Sequence, residues 1–248
     1  MSHAIWGARD SWRHTRLVNG YLHESELPLT SLIFLLPLIL IYEVGTQYFT
    51  SAAHHGWQQQ IIAFTMLQRF FRLFGAHGQH LPALAVVMIL LSWHMARREA
   101  WHFSLPTLAG MAAESTLLAL PLLAMGRELA RYFPLAAVHT TQPDAIIMSF
   151  GAGVYEELVF RLILFSMLSL VLKDLMRVSA WSAHLAVVVI SALAFSGYHY
   201  LSPLEQFQWR SFIFRTLAGI YFGVLFLARG FGITAGCHAF YDILILFL

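Results

Sequence analysis

The chain has 248 residues, of which 58% are hydrophobic, 15% aromatic and only 11% charged, with a formal net charge of +2 and a mean hydropathy of +0.66. Soluble domains carry about 25% charged residues, so this composition describes a polytopic membrane protein, and the scattered basic residues give no footprint for a nucleic-acid partner. A single cysteine, Cys237, excludes an internal disulfide framework and any cysteine-based zinc cluster.

Residues 1–28 carry Arg9, Arg13 and Arg16, then Glu24, Glu26 and Pro28, and read as a polar or interfacial N-terminal arm. No short apolar core with a small-residue cleavage site follows, so the first hydrophobic segment is expected to stay as a span. That segment, Leu29 to Phe49, has the length of about 20 residues that a ~30 Å hydrocarbon core requires. Pro37 is expected to kink it, and Glu43 near its far end reads as an interfacial carboxylate. Ser51 to Gln60 is a polar loop. Ile61 to Phe74 is too short and too basic to cross. Its polar residues Thr65, Gln68, Arg69 and Arg72 recur at helical spacing among Phe64, Leu67, Phe70, Phe71 and Phe74, the pattern of an amphipathic helix lying in the interface.

A second span, Leu81 to Met95, ends at Arg97 and Arg98. The third, Leu105 to Met125, holds Glu114 in its middle and Pro121 later on. Glu114 is expected to pair with Arg161 across the bundle or to serve a polar cavity. Gly126 to Asp144 reads as a polar loop with Arg127, Arg131 and Pro134. The fourth span runs from Ala145 to about Leu172 and is stopped by Lys173, Asp174 and Arg177. Ser182 to Tyr200 is the fifth, closed by Ser202-Pro203. Ser211 to Ala228 is the sixth, and Arg229-Gly230 turns the chain into the seventh, Phe231 to Leu248. The expected fold is therefore all-α: residues 29–248 form one polytopic membrane helical bundle of about seven transmembrane helices plus the interfacial amphipathic helix, since only helices or closed barrels satisfy their backbone in lipid. The positive-inside rule leans narrowly to an N-terminus in the cytoplasm.

The fourth span carries Gly151-Ala-Gly-Val-Tyr-Glu156-Glu157-Leu-Val-Phe-Arg161. Ionisable residues at membrane depth are costly and by default mark function. Glu157 and Arg161 are i and i+4, with the acid on the N-terminal side, the better orientation for a helical ion pair. Glu156 lies roughly 100° around the helix, so the pair neutralises itself and leaves Glu156 facing something else. Two further polar clusters lie at membrane depth. Phe195-Ser-Gly-Tyr-His199 ends the fifth span, and His238-Ala-Phe-Tyr-Asp242 lies inside the seventh with His238 and Asp242 on one face. Tracing the spans in alternation puts Glu156 and His199 in the same half of the bilayer, with His238 and Asp242 reaching toward the midplane. A carboxylate and an imidazole together can hold and deprotonate a water, and a second histidine can hydrogen-bond an oxyanion. The set fits amide hydrolysis. Cys237 reads as a small packing residue, and Tyr198 and Tyr241 either line the site or pack.

The motifs E-E-x-x-x-R, F-x-x-x-H and H-x-x-x-D, in that order on successive late spans, resemble the CAAX-processing and bacteriocin-processing family (CPBP, or Abi), which includes the Rce1-type prenyl-protein endoproteases. The resemblance covers about Gly151 to Leu248, within a catalytic region of about residues 145–248. It implies an intramembrane glutamic-type endopeptidase without a cofactor. In that reading Glu156 is the catalytic base, His199 helps to position water, His238 and Asp242 stabilise the tetrahedral intermediate, and Glu157 and Arg161 are supports. Rce1-type enzymes carry Asn at the last position, where Asp242 stands here. The implied partners are the lipid bilayer and a membrane-anchored protein or peptide, CAAX-like or another tethered tail. The implied setting is the cytoplasmic membrane of a bacterium. Three alternatives remain: a zinc-dependent intramembrane protease using Glu156, His199, His238 and Asp242 as ligands, a proton-coupled transporter, and a membrane scaffold or immunity protein that keeps the pocket without catalysis.

Overall fold

Hydrocarbon offers the backbone no partners, so a chain this apolar must close its hydrogen bonds within helices. The computed structural model describes residues 20–52, 61–132, 143–201 and 205–248, and no strand occurs among them. Arg9, Arg13, Arg16, His54, His55, Pro134, His139 and Ser202-Pro203 lie outside the described residues. After a short helical stretch at residues 20–25 come α1 (Pro28–Ala52), α2 (Ile62–Leu73), α3 (Leu81–Arg97), α4 (Leu105–Tyr132) and α5 (Pro143–Glu157). A π-helical segment, Leu158–Leu164, continues α5 into α6 (Phe165–Ser169) and a second π segment, Leu170–Leu175. Then follow α7 (Ala180–Tyr198), a 3-10 turn at His199–Leu201, and α8 (Trp209–Leu246).

Local chemistry sets several of these ends. Ser179 caps α7, its hydroxyl accepting from the Ser182 amide at 3.3 Å. α3 stops at Arg98, which is left-handed at φ 54. α8 is two helices joined across Gly230, whose φ 72 and ψ −173 suit glycine and strain any other residue. The turn expected at Arg229-Gly230 is therefore present. Gly126 to Tyr132, read as loop, instead extends α4, where Arg131 pairs with Glu128 one turn back at 2.8 Å.

Among the described residues, four helical stretches are long and apolar enough to cross a membrane: Pro28–Tyr48, Leu105–Leu129, Ala180–Leu201 and Trp209–Leu246. The sequence suggested about seven. Three features account for the difference: α3 is apolar but has only 17 residues, α8 runs its two halves together, and the helix bearing Glu156 is divided by π segments and charged. Large apolar side chains stay exposed along the long helices, among them Leu40, Ile41 and Val44 on α1, Leu117 and Leu120 on α4, and Leu185, Ile190 and Leu193 on α7. Patches of this kind belong against lipid rather than water, and the chain is an integral membrane protein.

α8 is the hub, with α4, α5 and α7 packed on it, and α1 lies across α5 and α3. Small residues permit the close approaches, as is usual where no hydrophobic drive separates helix from lipid. A Cβ at Gly153 would sit 2.6 Å from the Ala239 backbone nitrogen and Cβ, and 2.7 Å from the Ala235 carbonyl. That contact seats the end of α5 against the second half of α8. At Gly219 a Cβ would lie 2.9 Å from Ala192 Cα, which brings α7 onto the first half of α8. α2 rests Ala63, Phe64 and Leu67 on the bundle and turns Arg69, Phe70, Arg72, Leu73 and Phe74 outward.

Two acids read earlier as interfacial or undecided are both engaged. Glu43 accepts from the Tyr155 hydroxyl at 2.8 Å and contacts His80 Nδ1 at 2.5 Å, tying α1 to α5. Glu114 does not reach for Arg161. Arg229 grips it with a two-pronged bond, Nε to Oε1 at 2.6 Å and a terminal nitrogen to Oε2 at 2.9 Å, and Tyr21 donates to it at 2.5 Å. Arg229 also bonds Glu26 at 3.0 Å and Ser25 at 2.8 Å. Burial and the Glu114 carboxylate push the Tyr21 phenol above its usual range, so it remains a donor. Arg229 reads in the sequence as a turn residue, and the break at Gly230 lets it reach Glu114 instead.

Candidate active site

The last turn of α5 places Glu156 and Glu157 side by side, and the π segment that follows carries Arg161. π turns inserted into α-helices occur often at functional sites. Glu157 and Arg161 are both fully buried, and Arg161 Nε lies 3.1 Å from Glu157 Oε2. A guanidinium in this setting needs its whole plane accommodated. It donates to the Gly219 carbonyl at 3.1 Å and lies over the rings of Phe195 at 4.5 Å and Phe222 at 5.5 Å. The ion pair expected from the i, i+4 spacing is present.

The other carboxylate oxygen of Glu157 has a partner that spacing did not suggest. Oε1 lies 2.8 Å from His238 Nδ1, and with the ring nitrogen donating, this bond fixes the imidazole and turns Nε2 into the pocket. Phe222 stacks on the same ring, centroids 4.6 Å apart and planes 21° apart. Glu157 thus joins the buried arginine to the histidine on α8.

Glu156 faces the two imidazoles. Its Oε2 is 3.8 Å from His238 Nε2 and 3.9 Å from His199 Nε2. His199 is held from behind, since its Nδ1 donates to the Phe195 carbonyl at 2.9 Å and leaves the Nε2 lone pair directed at the carboxylate. The Tyr198 hydroxyl is within reach of the same carboxylate. Asp242 approaches from the far side, Oδ2 to His238 Nε2 at 3.6 Å. All four residues singled out in the sequence therefore meet in one place, drawn from α5, the 3-10 turn that follows α7 and the second half of α8. Exposure tells which way the pocket opens: the side chains of Glu156 and His238 are 8% and 6% exposed, His199 is 18% and Asp242 is 28%. The open side is that of His199 and Asp242.

Sequence reasoning did not single out Phe222 or Gly219. An apolar ring or a backbone carbonyl carries no signal in a chain this rich in both. Among the described residues no group of three His, Cys, Asp or Glu is arranged so as to hold a metal ion. Cys237 is buried and unbonded to another sulfur, in keeping with a packing role.

Residues 137–244 match the family model described as Rce1-like, type II CAAX prenyl endopeptidase. No curated protein and no solved structure matches the chain. The matched residues contain the whole of the Glu156, Glu157, Arg161, His199, His238 and Asp242 cluster, and over this part of its length the chain is similar to the Rce1-like type II CAAX prenyl endopeptidases.

Proposed function

We propose that the chain is an intramembrane endopeptidase of glutamate type that hydrolyses a peptide bond in a membrane-anchored, CAAX-like protein or peptide. The observation that carries this reading is the position of the Glu156 carboxylate between two imidazole nitrogens, 3.8 and 3.9 Å away. Those separations are too long for direct hydrogen bonds and short enough for one water oxygen to bond the groups on both sides. In the proposed reaction Glu156 takes a proton from that water as its oxygen attacks the scissile carbonyl carbon. His199 Nε2 accepts the water's second hydrogen bond and aims it. Negative charge moves to the carbonyl oxygen, where His238 donates from Nε2 when it carries both ring protons, with Glu157 on its other nitrogen as the counter-charge. The carbon–nitrogen bond then breaks, Glu156 returns its proton to the leaving amine, and the products are a carboxylic acid and an amine. Seven helices crossing the cytoplasmic membrane of a bacterium, counting each half of α8 and the π-interrupted helix, would set this pocket in one half of the bilayer.

The reading is tested with purified protein reconstituted into liposomes and a membrane-anchored peptide reporter, with and without a strong chelator. Cleavage that survives chelation is the expected result. Cleavage that is lost and then restored by zinc would assign the chemistry to a metal instead.

Asp242 takes the place of an amide donor in the Rce1-type pattern, and we assign it the holding of His238 rather than direct contact with the oxyanion. Asn at this position keeps the shape beside His238 Nε2, 3.6 Å away, but not the charge, a difference of roughly 1 kcal/mol, or about fivefold in rate. Asp242→Asn is accordingly expected to lower kcat about fivefold, and Asp242→Leu to lower it further. An Asp242→Asn enzyme as inactive as one lacking Glu156 would make the Asp242 carboxyl a reacting group.

A further inference from the structure

Arg215 stands at the open side of the pocket, and its situation differs from that of Arg161. Arg161 is sealed, with no exposed side-chain surface. Arg215 is 23% exposed and its ion-pair partner Glu205 is 32% exposed, so both ends of that contact reach solvent. Arg215 is carried on the first half of α8, which is tied at this level to both walls of the pocket. The Ser196 hydroxyl donates to the Phe212 carbonyl at 2.7 Å, joining it to the turn that ends in His199. The Phe214 ring packs on Tyr241 at 6.0 Å, joining it to the turn that bears Asp242. The guanidinium itself lies 5.8 Å over the Tyr200 ring. It is near enough for its charge to act on His199, Tyr198, Tyr241 and Asp242.

We propose that Arg215 is the subsite for a carboxylate of the peptide substrate, and that Glu205 occupies this subsite until the substrate displaces it. The proposal rests on the reading of Glu156 as the base of a peptidase. A guanidinium presents a planar fork matched to a carboxylate, and Glu205 already supplies that chemistry from within the chain. The interior of the pocket holds the acids Glu156 and Glu157, which repel an anion, so a substrate carboxylate is kept at the rim while the neutral amide goes in. Arg215 thereby sets the register of cleavage, fixing how far from the anionic group the broken bond lies. The carboxylate is either the chain's own terminus or an acidic side chain.

The test uses the reconstituted full chain and S-farnesylated peptides of one sequence. One pair ends in a free carboxylate or a carboxamide. A second pair is amidated and ends in Asp or Asn. The wild type is expected to favour the anionic member of one pair by about tenfold or more in kcat/KM, the scale of a charge-assisted bond, and the pair that discriminates identifies the source. Arg215→Gln should shrink that ratio to within about twofold, and Arg215→Lys, which keeps the charge but not the fork, should retain part of it. Glu205→Gln should lower KM for the anionic peptide and leave its neutral partner's KM where it was. A merely structural ion pair predicts no such split. Cleavage with a wild-type ratio near one in both pairs overturns the subsite alone, as does a ratio that survives Arg215→Gln. No cleavage of any peptide by the wild type overturns the peptidase reading, and the subsite with it. Should Arg215→Gln fail to reconstitute, an unchanged KM in Glu205→Gln overturns the proposal.

Discussion

Glu156→Gln is expected to lower cleavage of a membrane-anchored reporter by about a thousandfold, the middle of the range that a positioned general base contributes. Glutamine has the shape of glutamate, so the packing at the end of α5 and the contact with Tyr198 are kept. What it lacks is an oxygen that can take a proton from water. The neighbours cannot substitute. Glu157 is held between Arg161 and His238, and Asp242 faces His238 Nε2 at 3.6 Å from the more exposed side, with no contact to His199 to share a water with. Exposure also argues that the variant folds, because removing one of three clustered carboxylate charges relieves repulsion in a poorly solvated pocket. The measurement is single-turnover cleavage by the reconstituted protein, with a thermal melt in detergent as the control for folding. Unchanged cleavage would strip Glu156 of the role. A wild type that binds the anchored peptide without cleaving it would favour the scaffold alternative, and proton flux across the liposome wall would favour the transporter.

The parts of this arrangement that the sequence made legible are those where chemistry conflicts with its surroundings. Charges in an apolar run cannot be hidden, so Glu156, Glu157 and Arg161 stood out, and alternation of the spans was enough to put His199 in the same half of the bilayer as Glu156, with His238 reaching toward the midplane. The i, i+4 rule gave the Glu157–Arg161 contact because both residues belong to one helix. It could not give the His238–Glu157 bond, which depends on how closely α5 approaches α8 at Gly153. Nor could it give the grip of Arg229 on Glu114, which depends on the backbone at Gly230. Helix ends were read short wherever a helix continues beyond its apolar stretch, as at Gly126 to Tyr132, because hydropathy reports the membrane and not the hydrogen bonding. The π geometry after Glu157 left no trace in the sequence, since apart from Arg161 its side chains are those of an ordinary apolar helix.

Arg161→Leu is expected to cost more stability than any other single change at the site. Leucine restores apolar volume under Phe195 and Phe222 but leaves Glu157 buried without its guanidinium, and breaking a buried pair from one side costs roughly 3–5 kcal/mol. In a chain of this length that is a fall in melting temperature on the order of 10 °C, read in detergent by the loss of folded protein. The loss should not stop at stability. With Arg161 gone, His238 is the one basic group bonded to Glu157 among the described residues, so the histidine is drawn into charge compensation and away from the oxyanion. Activity should therefore fall even in the fraction that remains folded. The double variant Arg161→Leu with Glu157→Gln separates the two effects. It removes both charges, so most of the lost stability should return, since the coupling between contacting groups is what the cycle measures. Activity should stay low, because the ring of His238 then rests on an uncharged amide that cannot offset a second ring proton. Recovery of stability and activity together would mean that Glu157 and Arg161 only hold the helix, and that His238 owes nothing to the charge behind it.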